Sequence, residues 1–213
     1  MIEIKLNDGS IKNYKSGVLA IDIAKDISEG FARNVISAKF NNKIIETSTK
    51  ISSSGELEFY TWNDDNGKKA FWHSSSHILA QAIKELYKDV KLTIGPAIEK
   101  GFYYDIELKD EVISEKDFKS IETKMLEIAR EKHDFKIRSV SKKDALNYYQ
   151  SNGNNYKVEL ISSLEDGEIT FCDHSNFTDL CKGGHIPNTG CLLYTSDAAD
   201  DTPCVDLGGR RII

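Results

Sequence analysis

The sequence has few cysteines and no long apolar segment, and both absences narrow the class of protein. Four cysteines scattered over 213 residues are too few for a disulfide scaffold, which favours a reducing compartment. No apolar run approaches the roughly 18–20 residues that span a bilayer. Residues 1–5 contain neither a basic segment nor the apolar core of a signal peptide. We therefore expect a cytoplasmic protein that does not bind membranes.

The chain also lacks an excess of positive charge. Lys and Arg number 28 against 34 Asp and Glu, a formal net charge of −6, which argues against a protein that simply coats nucleic-acid phosphates. A local basic groove on an acidic chain still allows RNA binding. Hydrophobic residues make up 39% of the sequence, too many for a disordered chain.

Residues 1–61 have the pattern of a small domain. Apolar and charged residues alternate over 2–6, which predicts a half-buried strand followed by a turn and a second strand. The apolar spacing over 18–27 predicts a helix, with Ser16 as its N-cap and Gly30 as its stop. Further strands are predicted at 38–40, 43–46 and 57–60. Two strands, a helix and several more strands indicate a β-grasp fold.

A polar stretch at residues 63–69 predicts a linker, so we place a domain boundary between residues 61 and 62. The second domain then covers 62–190, and its mixed pattern gives the chain an α+β fold class. Residues 191–213 show no helical or strand period and resemble translated sequencing-adapter read-through, so we expect a non-native tail that packs against nothing. The second domain has these predicted elements: helix 71–88, a strand pair within 91–108, a helix capped by Ser114 up to 132, strand 135–140, helices 141–150 and 157–164, strand 169–172 and a glycine-rich loop 179–190.

Two histidines on the first helix of that domain are candidates for chemistry. His73 and His77 are four residues apart, so they share a helix face, away from an apolar stripe on the same helix. About 100 residues later, Cys181 and His185 are also four apart. Two imidazoles, a thiol and a third imidazole suit tetrahedral zinc, and they equally suit a metal-free pocket of hydrogen-bonding groups. The spacing does not choose between these two.

Other candidates carry weaker signals. Gly183 and Gly184 let a ligand approach the backbone closely. Asp179 could orient Cys181, bind an amine or merely cap a turn, and Lys157 alone would be interpreted as a solvated lysine. Tyr104 and its neighbour Tyr103 point to opposite sides of a strand, so only one of them can line a pocket. His133 and His174 match no spacing and are predicted at the surface, while Cys172 is predicted in a buried strand.

Five segments together resemble a known family. Residues 73–83, 94–96, 101–105, 156–158 and 179–187 are similar, in order and spacing, to the N-terminal half of bacterial threonyl-tRNA synthetases. The resemblance implies a β-grasp TGS domain over 1–61 and an α+β editing domain over 62–190, of the kind shared with alanyl-tRNA synthetases. The family's aminoacylation domain, with its ATP, Mg and Zn, and its anticodon-binding domain have no counterpart here, so no cofactor is expected in this chain.

The resemblance also implies a reaction, the hydrolysis of mischarged seryl-tRNA(Thr). Serine is threonine less one methyl, and one such group gives only about 1–3 kcal/mol of discrimination, so a second site must remove the wrong product. In this interpretation His73 activates water or the ribose, Asp179 holds the substrate amine and Lys157 binds the oxyanion or the ribose. Cys181 as a nucleophile is less favoured, since a bound water suffices. Matching motif by motif gives His73, His77, Lys157, Asp179, Cys181 and His185 as catalytic residues and Tyr104, Gly183 and Gly184 as substrate-binding residues.

Other hypotheses stay open at this point. A freestanding trans-editing hydrolase would bind zinc through His73, His77, Cys181 and His185. A non-catalytic TGS module would bind RNA, and a gene fragment would have no function of its own. The resemblance implies the acceptor end of tRNA(Thr) as partner and a homodimeric parent ligase, whereas we expect this chain to be a monomer and at most an aminoacyl-tRNA deacylase.

Overall fold

The computed structural model describes residues 1–109 and 111–193, and these form two compact units. The first unit comprises Met1–Phe71 and Gly183–Pro187, and the second begins with Trp72–Lys182 and resumes at Asn188. In chain order the elements are β1 (Ile2–Leu6), β2 (Ile11–Tyr14), β3 (Val18–Leu19), α1 (Ala20–Ile27), α2 (Glu29–Asn34), β4 (Ser37–Phe40), β5 (Lys43–Ile45), β6 (Lys50–Ile51), β7 (Gly55–Tyr60), α3 (Asp65–Leu86), β8 (Lys91–Leu92), β9 (Ala97–Ile98), β10 (Gly101–Phe102), β11 (Ile106–Glu107), α4 (Glu115–Arg130), β12 (Lys136–Ser139), α5 (Lys142–Ser151), α6 (Asn155–Ser162), β13 (Thr170–His174) and β14 (Phe177–Leu180).

The first unit is built on a five-stranded sheet in the order β2-β1-β7-β4-β5. The central pair β1–β7 is parallel and the other pairs are antiparallel. The alternation that predicted β1 is seen directly, because its apolar residues are buried and its charged residues exposed. Ile4 and Leu57 of the sheet pack with Ala20 and Ile23 of α1 in one core. The β-grasp prediction is confirmed.

The predicted caps of the first helix are wrong. Val18–Leu19 is extended, because it pairs with Lys50–Ile51, so the helix begins only at Ala20. The Ser16 hydroxyl instead donates to the Ser52 carbonyl, 3.0 Å away. At the other end α1 stops before Ser28, whose hydroxyl accepts from Phe31 N at 2.9 Å and caps α2. Gly30 therefore lies inside α2.

The predicted linker at residues 63–69 is also wrong, because α3 begins at Asp65. A Cβ at Gly67 would lie 1.9 Å from the Thr61 carbonyl oxygen, so only glycine permits this close approach of helix and strand end. The Asp64 carboxylate holds the same corner by accepting from Thr61 N at 2.7 Å and from its hydroxyl at 2.9 Å. Polar composition alone does not distinguish such a helix start from a loop.

The middle of α3 is buried on every side. All ten residues from 74 to 83 are buried, including three consecutive serines, whereas the last helical residue, Leu86, is 39% exposed. The prediction that α3 has a single buried face is therefore wrong, because its middle is buried all around. Small serine side chains let neighbouring segments pack close to the helix backbone. None of the described helices is long and apolar enough to cross a bilayer.

The second unit contains the antiparallel sheet β12-β13-β14 and two short strand pairs, β8–β11 and β9–β10. The strand pair predicted within 91–108 and the buried Cys172 on β13 are confirmed. Ser114 caps α4, as predicted, and the structure adds a capping box with Asp117. Ser141 likewise caps α5 through Asp144 N at 3.1 Å.

The first residues after the predicted domain end at 190 continue the fold locally. Cys191, Leu192 and Leu193 donate backbone hydrogen bonds of 3.0–3.2 Å to the carbonyls three residues before them. These bonds are local, so the non-native tail over 191–213 stays a prediction. The rest of that predicted tail, residues 194–213, lies outside the described residues.

Candidate functional site

A thiol and two imidazoles meet in the second unit. His73 and His77 lie one turn apart on α3, with ring centroids 4.8 Å apart, and Cys181 directly follows β14. The Cys181 Sγ lies 3.0 Å from His73 Nε2 and 3.4 Å from His77 Nε2. Residues more than 100 positions apart in the chain are thus brought into hydrogen-bonding contact by the packing of the helix beside the end of a strand.

Asp179 of β14 lies at the centre of a buried polar network, with only 3% of its surface exposed. Its Oδ1 lies 2.7 Å from Lys157 Nζ and accepts from Leu180 N at 2.8 Å. Its Oδ2 accepts from the Tyr104 hydroxyl at 2.5 Å and lies 3.2 Å from His77 Nδ1. The carboxylate therefore joins the Cys–His group on one side to a lysine and a tyrosine on the other.

Lys157 is positioned by the start of α6. The Asn154 side chain accepts from Lys157 N at 3.1 Å as the N-cap, and its amide donates to Leu92 O at 2.8 Å, which ties the helix start to β8. Lys157 is 3% exposed, so its interpretation as a solvated lysine is wrong. Its ammonium pairs with Asp179 and lies 6.0 Å from the centre of the Tyr104 ring.

The charges in this network are fixed by burial and by one another. Burial raises the pKa of Asp179, but the nearby charges of Lys157 and His77 outweigh it and hold that pKa well below its usual range. Burial lowers the pKa of His77, whereas its electrostatic interaction with Cys181 and its contacts with Asp179 and Cys181 raise it, with a net rise. Burial and Asp179 raise the pKa of Tyr104 far above its ordinary value, so its hydroxyl stays a donor.

Tyr104 occupies a slot that depends on Gly95. Tyr104 is 4% exposed and Tyr103 is 39% exposed, which confirms that only one of the two faces inward. A Cβ at Gly95 would lie 2.2 Å from Tyr104 Cδ2, so the ring packs directly on the glycine backbone. The Ser76 hydroxyl lies 2.7 Å from the Gly95 carbonyl and holds that backbone against α3.

Two residues beside the network were not found from the sequence. His174 was predicted at the surface, but it is 2% exposed and its ring packs 4.7 Å from that of Phe135 and 5.2 Å from that of Phe177. The Tyr149 hydroxyl lies 3.4 Å from Asp179 Oδ1. Tyr149 lies near the end of the helix predicted over 141–150, where nothing in the local sequence marks a partner 30 residues away.

His185 and the two glycines before it belong by their contacts to the first unit. Gly183 and Gly184 have φ angles of 91° and 89°, a conformation that favours glycine. The Glu46 carboxylate accepts from Gly184 N at 2.9 Å and lies 3.1 Å from His185 Nδ1. Glu46 was not singled out from the sequence, because it is 139 positions from His185.

Comparison with known proteins gives two findings. The TGS domain family matches residues 2–61. Threonine–tRNA ligases match over 192 residues, with 61% identity in Flavobacterium psychrophilum and 62% in Flavobacterium johnsoniae, in each case over 90% of this chain and 29% of the relative. Over 90% of its length this chain is therefore similar to part of the threonine–tRNA ligases. The synthetase of Caldanaerobacter subterraneus subsp. tengcongensis is 46% identical over 190 residues. The chain thus spans less than a third of the length of these synthetases.

The thiol and imidazoles of the second unit fit a zinc ion by their chemistry. Ligand atoms of His73, His77 and Cys181 lie within 4.8 Å of one another, and nitrogen and sulfur are the donors that zinc prefers. A carboxylate beside the second nitrogen of an imidazole, as Asp179 is beside His77, orients metal-bound histidines. The same atoms also suit a metal-free network, since the 3.0 Å between His73 and Cys181 is a direct hydrogen-bonding distance.

Proposed function

We propose that this chain is the proofreading region of a threonyl-tRNA synthetase and hydrolyses seryl-tRNA(Thr). The observation that carries the proposal is the buried group of His73, His77, Cys181, Asp179 and Lys157, which combines a proton acceptor, a thiol and a fixed cation. Ligation of threonine with ATP belongs, in this proposal, to the remaining length of the relatives. The synthetase as a whole would be cytoplasmic and dimeric.

The reaction is an ester hydrolysis, and it needs few groups because the aminoacyl ester is already activated. Water attacks the carbonyl carbon and its proton passes to an imidazole. The C–O bond to the terminal ribose then breaks, and the imidazolium returns the proton to the ribose oxygen, which gives free serine and tRNA. His73 is the best placed base, because His77 is 3% exposed and its Nδ1 faces Asp179. An imidazole has an ordinary pKa near 6.5, which suits proton transfer near neutral pH.

Lys157 is suited to stabilise the negative charge that develops on the carbonyl oxygen. An ammonium group has three donors, and the pairing with Asp179 Oδ1 accounts for one of them. A charge held in place before the reaction stabilises an oxyanion without reorganisation. The two oxygens of Asp179 already face Lys157, Leu180 N, Tyr104 and His77, so we assign Asp179 to orienting these groups rather than to binding the substrate amine.

The RNA partner is expected to bind weakly. Residues 62–190 contain 18 basic and 22 acidic residues, and most affinity for nucleic acids comes from phosphate contacts. We therefore expect a high KM for tRNA that rises further with salt. Serine and threonine differ by one methyl, so discrimination rests on the size of the pocket that receives the aminoacyl group.

The test is a deacylation assay at high protein concentration with seryl-tRNA(Thr) and threonyl-tRNA(Thr). We expect serine to be released faster than threonine, and His73→Ala to abolish the difference. His133→Ala is the matched control, because His133 is a half-exposed histidine paired with Glu131 outside the network. Equal release of both amino acids, or no effect of His73→Ala, would contradict the proposal.

A zinc-dependent version of the same hydrolysis is the second candidate, and the ligand geometry of His73, His77 and Cys181 favours it. In that case the three side chains would hold the ion, and zinc would supply an acidified water. Elemental analysis of the purified protein decides the matter. Stoichiometric zinc, with activity lost to a chelator and restored by zinc, supports the metal version. Full activity in metal-free protein supports a direct role of the imidazoles.

A further inference from the structure

Glu46 makes several contacts with a segment of the proposed site motif. It directly follows β5, and its carboxylate accepts from Gly184 N at 2.9 Å and from His185 N at 3.2 Å. The same carboxylate lies 3.1 Å from His185 Nδ1. The His185 side chain is fully buried and that of Glu46 is 13% exposed. A carboxylate with this many donors has little freedom to move.

These contacts dictate the state of the imidazole. A carboxylate has no proton to donate at neutral pH, so the nitrogen that faces it must carry the hydrogen. A neutral His185 is then protonated at Nδ1 and has its lone pair at Nε2. The bond made by one ring nitrogen sets the role of the other, as in the carboxylate–histidine pairs that orient catalytic and metal-bound imidazoles.

The two glycines before His185 explain why the Glu46 carboxylate can bind the backbone N–H groups of this segment. Gly183 and Gly184 both have positive φ, which lets successive backbone N–H groups point towards one oxygen. A Cβ at Gly184 would lie 3.2 Å from Ile44 Cγ2, close to the strand that precedes Glu46. The Gly184 amide, which the sequence suggested for substrate binding, is thus engaged by the protein itself.

We propose that Glu46 is a positioning residue for proofreading, which holds His185 in the Nδ1-protonated form and in a fixed ring orientation. Both residues belong to the first unit, so the contact itself lies within one compact body. This inference rests on the proposed function for its consequence in catalysis. The tautomer of His185 can be measured without any activity.

The first arm of the test is NMR of the full chain with 15N-labelled histidine. Long-range proton–nitrogen spectra identify which ring nitrogen carries hydrogen, and His185→Gln assigns the signals. We expect His185 to be protonated at Nδ1 in the parent chain and to lose that preference in Glu46→Ala. Glu56→Ala is the control, since Glu56 forms an exposed ion pair with Lys5 on the same sheet. Protonation at Nε2 in the parent chain, or an unchanged spectrum in Glu46→Ala, overturns the inference.

The second arm is seryl-tRNA(Thr) hydrolysis. We expect Glu46→Ala to lower kcat by roughly 10–100-fold, as removal of such outer carboxylates does at other sites. Glu46→Gln keeps an acceptor oxygen for Nδ1–H and should lose much less. If Glu46→Ala does not fold, the inference is tested by NMR of Glu46→Gln alone, in which His185 must remain protonated at Nδ1. If the parent chain releases no serine, the proposed function fails. The NMR experiment still tests whether Glu46 fixes the tautomer of His185.

Discussion

Removing the Asp179 carboxylate should destabilise the second unit far more than an ordinary surface change. In Asp179→Ala the Lys157 ammonium, 3% exposed, loses its partner. The Tyr104 hydroxyl and the Leu180 amide lose their acceptor at the same time. A buried charge without a partner is among the most costly defects in a protein interior.

The expected size follows from the burial of the pair. Breaking a buried ion pair on one side costs about 3–5 kcal/mol. For a chain of this size each kcal/mol lowers the thermal midpoint by roughly 2–4 °C, so the loss is about 6–20 °C. The double variant Asp179→Ala with Lys157→Met removes both charges, and it should be more stable than Asp179→Ala alone. Asp173→Ala on the adjacent strand, whose partner Arg138 is 51% exposed, should cost roughly 0–1 kcal/mol.

The assay is urea unfolding at pH 7, followed by circular dichroism, for the parent chain and the four variants that include Lys157→Met alone. The cycle gives the coupling free energy between Lys157 and Asp179 directly. An Asp179→Ala variant that loses no more than Asp173→Ala would refute the argument. A double variant that is less stable than Asp179→Ala would also refute it, because the Lys157 ammonium would then not be a buried charge without a partner in Asp179→Ala.

Three further predictions concern single positions. Gly95→Ala should lower both the thermal midpoint and serine release because its Cβ overlaps a buried ring, whereas Gly30→Ala, with no atom closer than 4.0 Å, should be neutral or stabilising in the same melts. Asn154→Ala loses a cap and a buried bond, and urea unfolding should show a cost of about 1–3 kcal/mol. The pKa of Asp26 is lowered by its bonds to Lys12 and Tyr14, so its stabilisation is present above the unfolded pKa of about 3.9 and lost as pH falls. In Asp26→Asn the free energy of unfolding should therefore fall less steeply as the pH is lowered. An unchanged dependence on pH would contradict this prediction.

The sequence predicted best where short-range chemistry decides the structure. Alternation over Ile2–Leu6, the turn after it and the Ser114 cap all act within a few residues, and all three are present. Prediction from the sequence failed where contacts with residues distant in the chain determine the secondary structure. Val18 and Leu19 have helical spacing, yet β6 draws them into a strand pair. Residues 63–69 look like a linker, yet the approach of Gly67 to Thr61 makes a helix start.

In the proposed site, too, some features are visible in the local sequence and others depend on distant contacts. The motif residues named from the sequence are chemically conspicuous, and six of them share one network in the second unit. What local sequence could not reveal is the set of supporting contacts. His174 is enclosed by Phe135 and Phe177, and Glu46 reaches His185 over 139 positions. Both contacts depend on tertiary packing, which leaves no periodic signature in the sequence.

The burial of α3 has a consequence for how the protein opens. Ten consecutive residues, 74–83, have no exposed side, so their amides are shielded from solvent all around the helix. Such amides exchange their hydrogens only through the largest opening reactions, whereas surface helices also exchange by fraying. The amides around His77 should therefore be the last to exchange. Ligand-induced slowing of their exchange would report stabilisation of the whole second unit, even for a ligand that contacts no part of this helix.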